Sequence, residues 1–302
     1  MEELLDRLTK RMRRRFLVAV NRLRSPEQLR RLAALIQAGR PEEALRVADD
    51  LAAEVSAAGA DVYVRAGSAA AQAVGSAVGI SLAFDQANPR ALDALSRQRF
   101  DLVQALVTEQ KDNLRRVLLE GSRQGLNPRV QARMLGDSLG LTPGQMQAVA
   151  NYRRLLEEGN QRATRRALHD SRVKDVRNLT PAQIDRLVDN YRTRYIRYRA
   201  EVVARTEALR AVNQGTSEMF EQLRERGIID QEVSQQWHTA RDSRVRGHHR
   251  SMHGQVREIG EPFISGRGNR LLYPGDPSAP ANDVVQCRCV VLTRYTVDQD
   301  NE

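Results

Sequence analysis

Two histidines and two cysteines near the C-terminus have the side-chain types that bind a divalent metal ion. His249 and His253 are four residues apart, so both imidazoles would lie on one face of a helix. Cys287 and Cys289 are the two cysteines of the 302-residue chain, and in a β-strand they would point to the same side. Two imidazoles and two thiolates suit a tetrahedral zinc ion. These four residues are therefore a candidate zinc site.

Other roles for the two cysteines stay open at this stage. Their C-x-C spacing is tighter than that of common structural zinc sites, and buried cysteines also pack as small apolar residues. A disulfide between residues this close would be strained. A Cys–His nucleophile is conceivable from the residue types, but no protease signature surrounds either cysteine. The chain also has no G-x-S-x-G, P-loop or H-E-x-x-H motif.

Two arginine-rich segments are candidate contacts for phosphate groups or for an acidic protein surface. They are KRMRRRF at 10–16 and YRTRYIRYR at 191–199. The candidate contact residues are Arg11, Arg13, Arg14, Arg15, Arg192, Arg194 and Arg197. The alternative for both segments is an amphipathic helix that packs through its apolar side and leaves its arginines in solvent.

Arg205 and Glu207 lie among apolar residues of the same predicted helix. We expect them to form a local ionic anchor between this helix and the C-terminal domain. The Arg-Thr-Glu sequence also invites comparison with ADP-ribosyl transfer, but residues 227–302 contain neither Glu-x-Glu nor Gln-x-Glu. An enzyme domain of the nucleotide-using transferase or toxin type therefore remains only an alternative hypothesis.

The elements that position these residues are mostly helices. The chain is 41% hydrophobic, 28% charged and only 4% aromatic, which is typical of long amphipathic helices. Ser, Asn or Thr precedes Pro at five places. In such a pair the first residue is a preferred helix N-cap, and the proline fits the first helical position because its missing N–H has no partner there in any case. Gln28, Gln145 and Gln183 complete capping-box patterns. The predicted helices cover about 2–22, 26–38, 41–84 with a break near Gly59 or Gly67, 89–124, 128–136, 143–158 and 181–226.

After Gly227 the composition changes to short runs rich in Pro, Gly, Asp and His. Pro274-Gly275 and Asp276-Pro277 predict turns, and VVQCRCVVL at 284–292 predicts a terminal strand. The predicted fold is mainly α, with an elongated multi-helix N-terminal body and a small α+β C-terminal domain of short antiparallel strands. We place the Arg-rich helical body at 1–194, the C-terminal domain at 195–298 and a frayed tail at 299–302.

The positive charge is concentrated in the helical part. The net charge is +10, yet residues 201–302 hold 13 Arg against 15 Asp or Glu, so residues 1–200 carry +12. The N-terminus resembles neither a secretory signal nor a stop-transfer segment, so we expect a cytoplasmic product. The small-residue stretch 66–84 predicts close helix packing in preference to stable membrane insertion.

Several ordered motifs resemble the C-terminal domain of phage Mu F-like minor head proteins, also called phage head morphogenesis proteins. They are RAEVVARTEALRAVNQG, QWHTARDSRVRGHHRSMHGQ, GEPF, LLYPGDPSAPAND and QCRC. The resemblance is densest over about 199–292 and looser upstream, and residues 1–110 carry no matching motif. The family usually has Asn where this chain has Gln286, and often Asp at the position of His253.

The resemblance implies a structural role and no catalysis. Its implied structural residues are Arg205, Glu207, Trp237, Asp242, Arg246, His249, Pro274, Gly275, Asp276, Cys287 and Cys289. Such proteins are expected at the portal vertex of the phage head, where they assist procapsid assembly and DNA packaging or delivery. The implied partners are the portal protein, the major capsid or scaffold protein and packaged DNA, in an oligomeric assembly. A nucleic-acid-binding protein that acts outside the particle is a further alternative.

Overall fold

The computed structural model of the chain describes residues 2–229 and 233–295, and helices dominate it. The helices of the first 229 residues are α1 (Glu2–Leu23), α2 (Pro26–Gln37), α3 (Pro41–Ala44), α4 (Val47–Val78), α5 (Pro89–Arg123), α6 (Pro128–Ser138), α7 (Pro143–Glu157), a 3₁₀ helix (Gln161–Arg165) and α8 (Pro181–Glu225). The predicted mainly α fold with a small C-terminal region of short antiparallel strands is confirmed.

The helix starts follow the predicted N-caps. The Ser25 hydroxyl accepts the backbone N–H of Gln28, and Asn127 accepts that of Val130. At Thr142 and Gln145 each side chain accepts the other residue's backbone N–H, which is a complete capping box. The same reciprocal pair forms between Thr180 and Gln183. Short-range hydrogen bonding therefore sets where these helices begin.

The predicted break near Gly59 or Gly67 is wrong. The helical pattern is interrupted between α3 and α4, and α4 then runs from Val47 to Val78 through both glycines. At Gly67 an added Cβ would lie 2.7 Å from the Phe84 ring, so this glycine permits close packing. The helix ends instead at Gly79, whose φ of +74° is left-handed.

The described residues form two compact units. One combines 2–13, 55–102, 202–229 and 233–295, and the other combines Arg14–Glu54 and Val103–Glu201. The proposed linear domain boundary between 194 and 195 stays a prediction.

The C-terminal part of the first unit contains the strands. They are β1 (Ser234–Thr239), β2 (Val256–Glu258), β3 (Phe263–Ile264), β4 (Arg270–Leu271) and β5 (Cys289–Arg294), with short helices α9 (Gly247–Arg250) and α10 (Ala281–Val284). One antiparallel sheet has the order β2-β1-β5, and β3 pairs with β4 in a second sheet. β1 and β5 pair along their whole length, with Trp237 opposite Val291 and Thr239 opposite Cys289.

The predicted terminal strand begins later than expected. Val284 ends α10, Gln286 has a left-handed φ of 53°, and β5 starts at Cys289. The two cysteines are therefore held by a turn and a strand start, not by one continuous strand. The predicted frayed tail at 299–302 lies outside the described residues. Within the described ranges, the structure contains no helix of the length and hydropathy needed to cross a bilayer.

Candidate functional site

The side chains of His249, Cys287 and Cys289 meet in the interior of the C-terminal region. Nδ1 of His249 lies 3.5 Å from Sγ of Cys287 and 3.6 Å from Sγ of Cys289. All three side chains are buried, and both cysteines are free thiols. The structure thus brings together three of the four predicted metal ligands, from α9 and from the start of β5.

The spacing of these donor atoms fits a zinc ion. Zinc lies about 2.3 Å from thiolate sulfur and about 2.0 to 2.1 Å from imidazole nitrogen, in tetrahedral geometry. Those bond lengths place a nitrogen and a sulfur on one ion about 3.6 Å apart, which is the separation seen from His249 to each cysteine. The donor types and their spacing therefore both suit the metal.

The fourth predicted ligand, His253, lies outside this cluster. α9 ends at Arg250 and Gly254 has a φ of +85°, so the helix does not continue to carry both histidines on one face. Nδ1 of His253 instead accepts the backbone N–H of Thr239 at 3.1 Å, and Arg241 contacts its other ring nitrogen at 2.6 Å. The cluster in the structure therefore contains His249, Cys287 and Cys289 but not His253, and the four-ligand set stays a prediction.

Asp283 is a candidate site residue that the sequence analysis did not select, although it ends the quoted motif LLYPGDPSAPAND. Its carboxylate is completely buried, lies 2.5 Å from Nε2 of His248 and 3.5 Å from Nε2 of His249, and accepts the Asn269 amide at 2.6 Å. Nε2 of His249 and Oδ1 of Asp283 are buried and have no hydrogen-bond partner among the described residues. A carboxylate that accepts from the second ring nitrogen of a histidine would fix its tautomer and leave the first nitrogen free for a metal. No spacing rule connects residue 283 to residue 249, because α10 places it there only in the folded chain.

Burial and mutual contact shift the pKa values of the two thiols, Cys287 and Cys289. The pKa of Cys287 is lowered because the Cys289 thiol donates a hydrogen bond to it and because His249 lies beside it, whereas burial acts in the opposite direction. The hydrogen bond to Cys287 raises the pKa of Cys289, and burial adds to this effect. Cys287 is thus the thiol that ionises more readily, and zinc binding through both sulfurs would also require ionisation of Cys289.

The residues around the cluster hold its loops in place. Trp237 is fully buried, with its ring edge-on to His249 at 5.9 Å and to Phe263 at 5.2 Å. Arg288, between the cysteines, donates to Asp242 at 2.5 Å, and Arg246 donates to the carbonyl of Val285. The implied structural residues Trp237, Asp242 and Arg246 therefore all contact the segments that carry the ligands.

The predicted turn at Pro274, Gly275 and Asp276 is a second structural centre. The Asp276 carboxylate is buried and accepts the backbone N–H groups of Leu272 at 2.7 Å and Ser278 at 2.9 Å. Gly275 has a φ of +89°, and an added Cβ would lie 3.2 Å from the backbone nitrogen of Arg210. The turn is thus pressed against α8.

The ionic anchor of α8 uses a different arginine from the predicted one. Glu207 accepts from Arg210 at 3.0 Å, and Arg210 also donates to the carbonyl of Gly275 at 3.1 Å. Asn213 donates to the carbonyl of Pro274 at 2.8 Å. Arg210 lies one turn along α8 from Glu207, and Asn213 lies one turn along from Arg210. Arg205 instead has an Nε that is buried without a hydrogen-bond partner among the described residues.

Several predicted phosphate contacts take part in ion pairs within the chain. Arg11 pairs with Asp61 at 2.7 Å, Arg192 with Asp137 at 2.9 Å, and Arg194 with Asp170 at 3.3 Å. Arg11, Arg13, Arg14, Arg15 and Arg197 are exposed at the surface, whereas Arg192 and Arg194 are half-buried.

The tyrosines that alternate with the second arginine cluster divide between core and surface. Tyr191 is buried and stacks on Tyr152 with ring centroids 4.0 Å apart, and Tyr195 lies edge-on to Tyr191. Tyr198 is half exposed. The packed-helix interpretation therefore describes Tyr191 and Tyr195 but not Tyr198.

These features define a mainly helical chain whose C-terminal region closes around a buried His/Cys/Cys cluster. Residues 171–292 match the family model described as Phage Mu protein F like protein, which covers 122 of the 302 residues. The match includes α8, the Pro-Gly turn and the cluster, and it confirms the resemblance seen in the motifs over this segment. A comparison with curated proteins and one with solved structures each gave no significant match.

Proposed function

We propose that the chain is a minor structural protein of a phage head, that it lies at the portal vertex, and that it assists procapsid assembly and DNA packaging or delivery without catalysing a reaction. The observation that carries this proposal is the match of residues 171–292 to the phage Mu protein F-like family. Its partners would be the portal protein and the major capsid or scaffold protein, in an oligomeric arrangement around the portal. The chain would be made in the host cytoplasm and retained in the head.

The charge distribution supports a bridging role. Residues 1–200 carry +12 and residues 201–302 carry −2. A strongly basic segment attracts an acidic protein surface or DNA, and a nearly neutral one docks through packing. The two parts thus suit different partners.

The test is to follow the chain through phage assembly. We expect purified procapsids and mature heads to contain it, and electron microscopy to show its density at the portal vertex. A phage that lacks the chain should give fewer DNA-filled or fewer infectious particles. Particles of normal number and infectivity without the chain would contradict the proposal.

We further infer that His249, Cys287 and Cys289 hold a zinc ion that fastens α9 to the start of β5, oriented by Asp283. Bound zinc would supply a cross-link in place of a disulfide. A catalytic thiol explains the geometry less well, because Cys287 is fully buried and both thiols face the same ring nitrogen.

Metal analysis of the purified full chain tests the zinc assignment. We expect one zinc per chain in the wild type and loss of zinc in Cys287→Ser and Cys289→Ser. Serine keeps the size of the side chain and removes the thiolate. Wild-type chain without zinc after growth with added zinc would overturn the assignment.

A further inference from the structure

An open pocket of about 450 Å³ beside the end of α7 is lined by six residues, of which four are arginines. It belongs to the unit formed by Arg14–Glu54 and Val103–Glu201, and it lies outside the family match. The lining residues are Asn151, Arg154, Leu155, Arg162, Arg165 and Arg166. All four arginines are exposed, and the lining contains no carboxylate.

The charge of this region is not neutralised by its own acids. Residues 160–178 contain six Arg or Lys and two Asp. Asp170 accepts from Arg172 at 2.7 Å, and Asp175 accepts from Arg177 at 2.7 Å, so both carboxylates have cationic partners away from the pocket. At the pocket itself, Arg154 contacts Glu158 at 2.7 Å. Within the described ranges no ion pair is formed by Arg162, Arg165 or Arg166.

The segment that carries these arginines is held in one conformation. The Tyr152 hydroxyl lies 2.7 Å from Nδ1 of His169, whose Nε2 lies 2.7 Å from the carbonyl of Val173. Asn160 caps the 3₁₀ helix by accepting the backbone N–H of Arg162 at 3.0 Å. At Gly159, with a φ of +59°, an added Cβ would lie 3.1 Å from the carbonyl oxygen of Arg177. Little ordering is therefore left for a ligand to impose on the backbone.

We propose that this arginine pocket binds phosphate groups of the DNA backbone. A DNA strand presents a closely spaced row of phosphodiester anions, each with two non-bridging oxygens, so several guanidinium groups in a concave site can each meet an oxygen of the same or the neighbouring phosphate. Guanidinium groups bind phosphate through paired N–H donors, which a single ammonium does not provide. The DNA would be packaged DNA only if the proposed head function is correct, but phosphate binding itself does not depend on it.

The experiment measures binding of the purified full chain to a fluorescein-labelled DNA duplex by anisotropy, over a series of salt concentrations. The variant is the triple Arg162→Gln, Arg165→Gln, Arg166→Gln, which keeps polar side chains on the 3₁₀ helix. We expect its affinity to fall about tenfold or more. The slope of log affinity against log salt should also become shallower, by about 0.9 for each phosphate that the variant no longer neutralises.

The matched control is the triple Arg30→Gln, Arg31→Gln, Arg133→Gln, which removes the same charge from exposed positions of the same unit. We expect it to bind within about twofold of wild type. Equal losses of affinity in both triples would show a general charge effect and overturn the assignment. Wild-type affinity and salt slope in the pocket triple would also overturn it.

A competition experiment separates DNA from an acidic protein surface. Poly-glutamate is added to the preformed complex at the same charge concentration as unlabelled duplex. We expect the duplex to displace the label and poly-glutamate to do so poorly. Better displacement by poly-glutamate would mean that the pocket recognises carboxylates, which contradicts the proposal. Circular dichroism of both triples checks that they are folded, and the single variant Arg162→Gln replaces the pocket triple if that triple unfolds.

Discussion

The buried carboxylate of Asp283 lies 3.5 Å from Nε2 of His249, on the side of the ring opposite the two cysteines. His249 faces both thiols through Nδ1. The Asp283 carboxylate can therefore influence the proposed zinc site only through the histidine ring. For the proposed zinc site at His249 and the two cysteines, we therefore assign Asp283 the role of a positioning residue. This relationship connects α10, α9 and β5 through one imidazole ring.

Replacement of Asp283 by Asn should weaken zinc binding without abolishing it. The neutral amide no longer stabilises the N–H at Nε2, and loss of such an outer partner typically reduces metal affinity by about 10- to 100-fold. Competition with a chromophoric chelator measures the change. Glu258→Gln removes an exposed carboxylate of β2 and should leave the affinity unchanged. Equal affinity in Asp283→Asn and wild type would show that the carboxylate does not orient the ligand.

Replacement of His253 by Ala should leave zinc bound, whereas His249→Ala should release it. His253 contacts Thr239 and Arg241, away from the thiols. Addition of a chelator should lower the melting temperature of wild type and of His253→Ala, but not that of His249→Ala. At free zinc one hundred times the Kd, bound metal contributes about 2.7 kcal/mol to stability. Loss of zinc in His253→Ala would restore the four-ligand hypothesis.

Replacement of Gly275 by Ala should destabilise the C-terminal region. Its φ of +89° is unfavourable for any residue with a Cβ, and that Cβ would approach the backbone of Arg210. We expect a loss of about 1 to 3 kcal/mol in the free energy of unfolding, measured with urea. Gly144→Ala is the matched control, because it lies in α7 with open space around it and should be neutral or stabilising. A neutral Gly275→Ala would mean that the turn relaxes freely.

Replacement of Glu207 by Gln should change how stability depends on pH. Burial raises the pKa of Glu207 above its ordinary value of 4.5, although Arg210 opposes the shift. The folded state therefore binds the Glu207 proton more tightly than the unfolded state does. The stability that this proton contributes is complete below pH 4.5 and is lost as the pH rises through the raised pKa.

Urea unfolding from pH 4 to pH 8 measures this effect. Wild type should lose stability relative to Glu207→Gln as the pH increases. Glu258→Gln, at an exposed carboxylate, should follow the wild-type curve. If the free energy of unfolding of wild type instead rises relative to that of Glu207→Gln as the pH increases, the attraction of the ionised carboxylate to Arg210 outweighs the cost of its burial.

The sequence alone determined the helices and the kind of C-terminal region. A Ser, Asn or Thr cap and the following Pro act over three or four residues, so Ser25, Asn127, Thr142 and Thr180 mark helix starts whatever the rest of the fold does. The ordered motifs over 199–292 were likewise enough to indicate the family that residues 171–292 match. Cys287, Cys289 and His249 could be named as candidate metal ligands from their side-chain types.

Only the tertiary structure decided which partners those residues meet. His253 lies outside the cluster because α9 ends at Arg250, whereas α10 brings the distant carboxylate of Asp283 to 3.5 Å from Nε2 of His249. Arg210, and not Arg205, bridges Glu207 to the turn. Contacts between residues far apart in the chain depend on packing geometry, which leaves no spacing pattern in the sequence. Local capping does leave such a pattern, and for that reason the helix starts were predictable while the completed site was not.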